Sequence, residues 1–220
     1  MPAKNAIKQF EPERMYHVYN RGVEKRIIFC DERDYAVFLS FLKYALSPKE
    51  SEGAEIDTSL LSDAQRFNMR RLNLVEDVEL VAFCLMPNHF HLLLYQHAQD
   101  GITRLMRSVA TGYSVYFNKR YKRDGALFQG RYKAKSIDSE AYWQHISRYI
   151  HLNPLDIGKE YKSYEYSSYR FHVGVAEAVW IKPQIITANF KDMKEYQKFH
   201  DDYIPYRNQL KEIKDMLADH

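Results

Sequence analysis

The chain has 220 residues, 45% of them hydrophobic, so it can bury one sizeable core, and its net charge is +3. No apolar run reaches membrane-spanning length and the first residues lack the apolar segment of a secretory signal, which argues against a membrane or secreted protein. The only cysteines, Cys30 and Cys84, predict no disulfide framework, so we expect a cytoplasmic protein.

Residues 15–20 have the β-branched and aromatic content of a strand. Residues 31–46 follow with apolar side chains at helical spacing, behind an aspartate that can cap the helix. Residues 47–59 are rich in Ser, Glu, Pro and Gly and predict a loop, with a short helix at 63–72. We therefore treat residues 47–75 as an insertion.

Residues 78–86 and 89–96 are apolar runs separated by Pro-Asn, which predicts two strands with a tight connection. A helix is predicted over 100–121, weakened locally by a glycine, and a strand over 131–137. Residues 139–151 form the next predicted helix, because a serine can cap it and a proline follows it.

The order β-α-β-β-α-β, followed by a further helix, predicts an α+β fold with a ferredoxin-like antiparallel sheet. We expect the helices to cover one face of this sheet and leave the other available. Residues 12–170 would form this domain, and residues 171–220 a C-terminal extension packed on its core.

Two histidines flank one apolar residue at the start of the third predicted strand. Side chains alternate along a strand, so His89 and His91 face the same way and Phe90 faces a core. Two imidazoles on one rigid face can bind one cation, although a bare His-x-His is more often two polar residues on a solvated face.

The last predicted helix adds two polar side chains four residues apart. Tyr149 and Asn153 share one helical face, which could meet the face that carries His89 and His91. Two imidazole nitrogens and an amide oxygen, with open positions, suit Mg²⁺ or Mn²⁺. An ion and basic neighbours would favour the phenolate of Tyr149, which could then attack a phosphodiester.

At these residues the chain resembles a known family, the single-tyrosine HUH transposases, and within it the REP-associated tyrosine transposases. The resemblance depends on residues 86–91 (Met-Pro-Asn-His-Phe-His) and 149–154 (Tyr-Ile-His-Leu-Asn-Pro). Further matches are residues 19–22, 125–133 and 166–169. The order and spacing of these motifs together are specific, whereas the His-x-His alone is weak.

The resemblance implies that His89 and His91 bind the metal and that Asn153 is the third protein ligand, where relatives use glutamine. It also implies that Tyr149 attacks single-stranded DNA beside a short hairpin, giving a 5′-phosphotyrosine and a free 3′-OH. Relatives act alone or as dimers, so a homodimer is one expectation.

Positive charge is concentrated in residues 101–136, where nine Lys or Arg stand against one acidic residue; subtracting this +8 from +3 leaves −5 elsewhere. Such a field predicts a polyanionic partner, here single-stranded or hairpin DNA. The predicted DNA contacts are Arg104, Arg107, Lys119, Arg120, Gln129, Arg131 and Lys133.

Alternatives stay open at this stage. Tyr116 is the second choice for the nucleophile, and Asn153 could simply satisfy the end of its helix before Pro154. The charged helix could be an ordinary solvated face. The chain could also be a hairpin-binding protein without catalysis, or a metal-dependent phosphodiesterase in which water attacks.

Overall fold

The computed structural model describes residues 10–48 and 72–209. Most of the predicted insertion at 47–75, including nearly all of its helix, lies outside the described residues. So do residues 210–220 of the predicted C-terminal extension.

Four strands form one antiparallel sheet in the order β2-β3-β1-β4. The strands are β1 (Arg14–Arg21), β2 (Val78–Met86), β3 (His89–Gln96) and β4 (Lys133–Ile137). The first strand, β1, therefore lies inside the sheet, and the last strand, β4, pairs with it at one edge. The predicted ferredoxin-like α+β fold is confirmed.

Helices α1 (Glu32–Leu46) and α2 (Gly101–Arg120) cover one face of the sheet. The side chain of Asp31 caps α1 by accepting a hydrogen bond from the Asp34 amide at 3.2 Å. The glycine predicted to weaken α2 has a packing role, because a Cβ on Gly112 would lie 2.5 Å from the Phe41 ring of α1. Because Gly112 has no Cβ, the two helices can approach each other closely at this point.

The opposite face is also covered, which corrects the expectation of an open face. Helix α3 (Glu140–Leu152) packs there on β2 and β3, and the chain after it adds further apolar side chains. The short helices of this second layer are α4 (Tyr169–His172), α5 (Gln184–Thr187) and α6 (Met193–Asp201). Helical periodicity predicts that a helix has an apolar side, but not which sheet face it meets.

Strand β2 contains a bulge that serves both layers. Its pairing with β3 shifts between Leu80 and Ala82, so Val81 is the extra residue. Val81 and Ala82 both pack under α3, while Leu80 and Phe83 pack under α1 and α2. Backbone bonds from residues 166–168 cover the outer edge of β2, including Ser168 N–H to the Phe83 carbonyl at 2.9 Å.

Three histidines are buried where α3 meets the second layer. His151, His172 and His200 have 0%, 2% and 0% exposure. His151 Nε2 lies 2.8 Å from Ser168 Oγ, and its Nδ1 lies 3.3 Å from His200 Nε2. Within the described residues, no helix has the length and apolarity needed to cross a membrane.

Candidate active site

The two predicted metal ligands stand at the start of β3, on the face covered by α3. His91 lies opposite Tyr19 of β1, and His89 lies opposite Arg21. Phe90 between them is fully buried in the other layer, as strand alternation predicts. Their ring centroids are 5.0 Å apart and their planes nearly perpendicular.

Each of these histidines has its Nδ1 engaged by a neighbouring side chain. His89 Nδ1 lies 2.6 Å from Asn88 Oδ1, which can only accept, so His89 carries its proton on Nδ1. His91 Nδ1 lies 2.8 Å from His17 Nε2. With protons on both Nδ1 atoms, the two Nε2 atoms keep their lone pairs for a ligand.

Burial keeps both imidazoles neutral. It lowers the pKa of His91 well below its usual value, and the electrostatic influence of His17 and His89 acts in the same direction. It also lowers the pKa of His89, against an opposing hydrogen bond with Asn153. Neutral imidazole is the form that binds metal, so burial prepares these groups as ligands.

Asn153 ends α3 and faces His89. Its side-chain N–H donates to the Tyr149 carbonyl at 2.9 Å and to the Ile150 carbonyl at 3.3 Å. The alternative that Asn153 satisfies the helix end is therefore correct, but these bonds use only its amide nitrogen. They hold the amide so that Oδ1 remains available on the side of His89.

The residues present fit a divalent ion in an open site. Across residues 10–48 and 72–209, no group of three or more His, Cys, Asp or Glu side chains is arranged to hold a metal. A metal would therefore need the Asn153 amide oxygen beside the two imidazoles. Two nitrogens and one neutral oxygen leave coordination positions for phosphate oxygens and water.

Tyr149 lies beside the histidine pair, although it comes from a distant part of the chain. Its ring centroid is 5.5 Å from that of His91 and 6.0 Å from that of His17, with edge-to-face geometry in both cases. Tyr149 is 44% exposed, unlike the two histidines' neighbours in the core. The second choice, Tyr116, is excluded because it is fully buried in the opposite layer and bonded to Asp34 at 2.8 Å.

The phenol of Tyr149 is protonated in the protein alone. Burial raises its pKa above the usual value, and Asp156 adds to this, while Arg207 acts in the opposite direction. The sequence-based expectation was that an ion and basic neighbours together favour the phenolate; in the protein alone, burial and the Asp156 carboxylate outweigh Arg207. Arg207 and Asp156 form an ion pair at 2.8 Å.

The C-terminal layer holds the helix that carries Tyr149. The guanidinium of Arg148 lies between two rings, 4.0 Å from the centroid of Phe199 and 3.9 Å from that of Tyr203. It also donates to the Phe199 carbonyl at 3.0 Å. Since Arg148 precedes Tyr149, this clamp restrains the backbone of Tyr149.

The predicted DNA contacts separate into two groups. Arg104 pairs with Asp77 at 2.6 Å, and Arg120 with Asp31 at 2.5 Å and with the buried Asp34 at 2.7 Å. These guanidiniums are occupied within the fold, with Arg120 joining the start of α1 to the end of α2. Local sequence pattern could not predict the partners of Arg120, since Asp31 and Asp34 are 89 and 86 residues away in the chain.

Four of the five remaining predicted contacts line two cavities next to the loop before β4. A cavity of about 390 Å³ opens beside His89, Gln129 and Lys133. A second, of about 640 Å³, is lined by Arg107 and Arg131. The Gln129 side chain accepts a hydrogen bond from Arg21. Lys119, near the end of α2, is exposed and lines neither cavity.

His17 is the site residue that sequence analysis did not identify. It lies on β1 with Tyr19, and their rings stack at a centroid distance of 5.0 Å. The signal available in sequence was the alternation of residues 15–21, which places both side chains on one face of β1. Which strand lies next to β1 depends on the order of the strands in the sheet, and the local sequence pattern does not specify that order.

Comparisons with known proteins agree with this architecture. The family described as "Transposase IS200 like" matches residues 58–153, a segment that contains both histidines, Tyr149 and Asn153. No curated protein sequence matches the chain. A solved structure of a REP-associated tyrosine transposase bound to a REP hairpin shares the fold, with a TM-score of 0.52 and 13% identity over 81% of this chain and 91% of that one. The resemblance predicted from sequence is thus confirmed: the chain is similar to IS200-like transposases over residues 58–153 and has the fold of a REP-associated tyrosine transposase.

Proposed function

We propose that this protein is a DNA transposase that nicks and rejoins single-stranded DNA beside a short hairpin, with Tyr149 as the nucleophile. The observation that carries the proposal is the edge-on contact between the Tyr149 and His91 rings, at 5.5 Å. The similarity to IS200-like transposases supports the reaction class. The shared fold with a hairpin-bound transposase supports the choice of substrate.

The donor set for the metal would be His89 Nε2, His91 Nε2 and Asn153 Oδ1, with Mg²⁺ or Mn²⁺ as the ion. When bound, the ion would withdraw charge from a phosphoryl oxygen as phosphorus is attacked. The protein's own contribution is to hold these donors on a β-strand and a helix end. Both elements are rigid, so little reorganisation is needed when the substrate arrives.

Tyr149 would attack phosphorus through its phenol oxygen. A tyrosine-O–P bond forms, the bond from phosphorus to the 3′-oxygen breaks, and the leaving strand takes a proton to end in a 3′-OH. The phenol gives its proton to water. The raised pKa of Tyr149 means that the hydroxyl keeps this proton until the substrate and the ion are in place.

The covalent phosphotyrosine would conserve the energy of the original phosphodiester. A 3′-OH from the same or another strand can then attack it, re-forming a phosphodiester and releasing the phenol. Strand transfer therefore needs no nucleoside triphosphate. This agrees with a sequence that shows no glycine-rich phosphate-binding loop.

The proposed DNA surface consists of the four predicted contacts that line the two cavities, together with the exposed Lys119. We include Arg107, Lys119, Gln129, Arg131 and Lys133 in it. Lys133 Nζ lies 6.0 Å from the centroid of the Tyr19 ring, on the same face as His91. Arg104 and Arg120 are left out because carboxylates already bind their guanidiniums.

The experiment incubates the protein with labelled single-stranded hairpin DNA and Mn²⁺. We expect a covalent adduct that Tyr149→Phe abolishes and that Tyr142→Phe keeps, since Tyr142 is an exposed tyrosine on the same helix. Retarded but uncut DNA would instead support a hairpin-binding protein without catalysis. Cleavage that survives Tyr149→Phe would support a phosphodiesterase in which water attacks.

A further inference from the structure

His17 contacts both His91, a proposed metal ligand, and Tyr149, the proposed nucleophile. Its Nε2 lies 2.8 Å from His91 Nδ1, and its ring meets that of Tyr149 at a centroid distance of 6.0 Å. The side chain is 9% exposed, and His91 is 6% exposed, so water competes little for this bond. No other described residue contacts this nitrogen of His91.

We propose that His17 is a positioning residue for the metal ligand His91: it accepts the Nδ1–H of His91 and so directs the lone pair of His91 Nε2 into the site. This inference rests on the proposed function, because it concerns how a ligand of that metal is oriented. Outer hydrogen bonds of this kind fix the tautomer and the ring orientation of ligating histidines.

The proton count decides the direction of the bond. Two imidazole nitrogens 2.8 Å apart share one proton, so either His91 donates to His17 or the reverse. If His17 donated, neutral His91 would carry its proton on Nε2 and could not bind a metal there. Only the arrangement with His91 as donor leaves the nitrogen that faces the site free.

The surroundings of His17 favour its role as an acceptor. Lys135 lies directly opposite it on β4. A cation beside a buried ring disfavours a second positive charge on that ring, so this position suits a neutral imidazole, which keeps one lone pair. A neutral acceptor can take the proton of His91, whereas a protonated His17 could not.

The two ligands are then oriented in the same way by different means. Asn88 accepts the Nδ1–H of His89 from the adjacent position in the chain. His17 does so for His91 from a neighbouring strand, 74 residues away. The orientation of the pair therefore depends on the pairing of β1 with β3, so the metal site needs the sheet to be assembled.

The test measures Mn²⁺ affinity of the full chain by calorimetry, together with the melting temperature. We expect His17→Phe, which keeps a ring of similar shape, to weaken Mn²⁺ binding roughly 10- to 100-fold. His17→Gln supplies an acceptor oxygen and should recover part of this loss. His97→Phe is the matched control, since it removes an imidazole that contacts Glu13 and Glu79 instead. It should bind as the wild type does.

A second measurement covers the case in which His17→Phe fails to fold. Ring-nitrogen correlation spectra of the wild type should show His91 protonated on Nδ1 and unprotonated on Nε2. Unchanged Mn²⁺ affinity in a folded His17→Phe variant would overturn the proposal, and so would a His91 proton on Nε2. If the wild type itself binds no Mn²⁺, the proposed metal-dependent function fails instead, which is a different result.

Discussion

The phenol ring of Tyr149 stands edge-on to the imidazole of His91, with 5.5 Å between their centroids. The two residues come from α3 and β3, and they meet because α3 packs on the sheet face opposite α1 and α2. Had α3 joined the other helices, Tyr149 would lie a full layer away from the histidines. The placement of one helix thus decides whether Tyr149 lies beside the two histidines.

Asn153 should contribute to both stability and cleavage. Asn153→Ala removes the hydrogen bonds to the carbonyls of Tyr149 and Ile150, so we expect a loss of about 1–2 kcal/mol in unfolding free energy, together with loss of DNA cleavage. Asn153→Gln keeps both kinds of atom and should retain more cleavage than alanine. Urea unfolding and a gel cleavage assay measure the two effects. Equal cleavage by wild type and Asn153→Ala would remove Asn153 from the proposed ligand set.

Gly112 should resist substitution despite its place in a helix. Alanine favours the helix by about 1 kcal/mol, but its Cβ would lie 2.5 Å from the Phe41 ring. Overpacking of this kind costs roughly 1–3 kcal/mol, so we expect a net lower melting temperature for Gly112→Ala. Gly112→Ala combined with Phe41→Leu should be less destabilised than the two single changes added together. Strict additivity would show that the two positions do not interact.

The buried histidines should make the protein sensitive to acid. Burial lowers the pKa of His172 to about 4 and that of His200 to about 3, whereas in the unfolded chain both are near 6.5. The unfolded state therefore binds more protons as pH falls below about 6.5, and stability declines until the folded-state pKa is reached. We expect a loss on the order of 2 kcal/mol per histidine between pH 7 and pH 5.

Urea unfolding at the two pH values measures this loss. His172→Phe should lose less stability between pH 7 and pH 5 than the wild type, because one titrating group has been removed from a fully buried site. An equal acid loss in both proteins would show that His172 does not titrate on unfolding.

Lys133 and Arg120 should behave differently although both lie in the basic segment. We expect Lys133→Gln to weaken DNA binding and to lower the slope of log affinity against log salt by about 1, because one phosphate contact is lost. Arg120→Gln should leave the slope unchanged and cost roughly 1–3 kcal/mol of stability, since it deprives the buried Asp34 carboxylate of a partner. A lower slope for Arg120→Gln would return Arg120 to the DNA surface.

Local pattern was sufficient for the four strands and the helices α1 to α3, and for the faces of four side chains of the proposed site, but it did not predict the short helices α4 to α6. The alternation of β3 gave the shared face of His89 and His91, and helical spacing gave that of Tyr149 and Asn153. These features depend on neighbours within one element. For the same reason the boundaries of β2 and β3 agree with the predicted ranges.

Features that depend on how elements meet could not be predicted in this way. The partner of His91 is His17, which requires knowing that β1 pairs with β3. The pairing of Arg120 with Asp34 requires the contact of α1 with α2. In the same way, the raised pKa of Tyr149 reflects its burial and the nearby Asp156 charge.

The most direct test of the central claim is mass spectrometry of the protein after reaction with hairpin DNA and Mn²⁺. Trypsin cuts after Arg148 and after Lys159, giving residues 149–159, in which Tyr149 is the single tyrosine. We predict that this peptide gains the mass of the 5′-phosphorylated DNA fragment or of its nuclease-trimmed remnant. Cleaved DNA with this peptide unmodified, or with the added mass on a peptide carrying another tyrosine, would contradict the assignment of Tyr149 as the nucleophile.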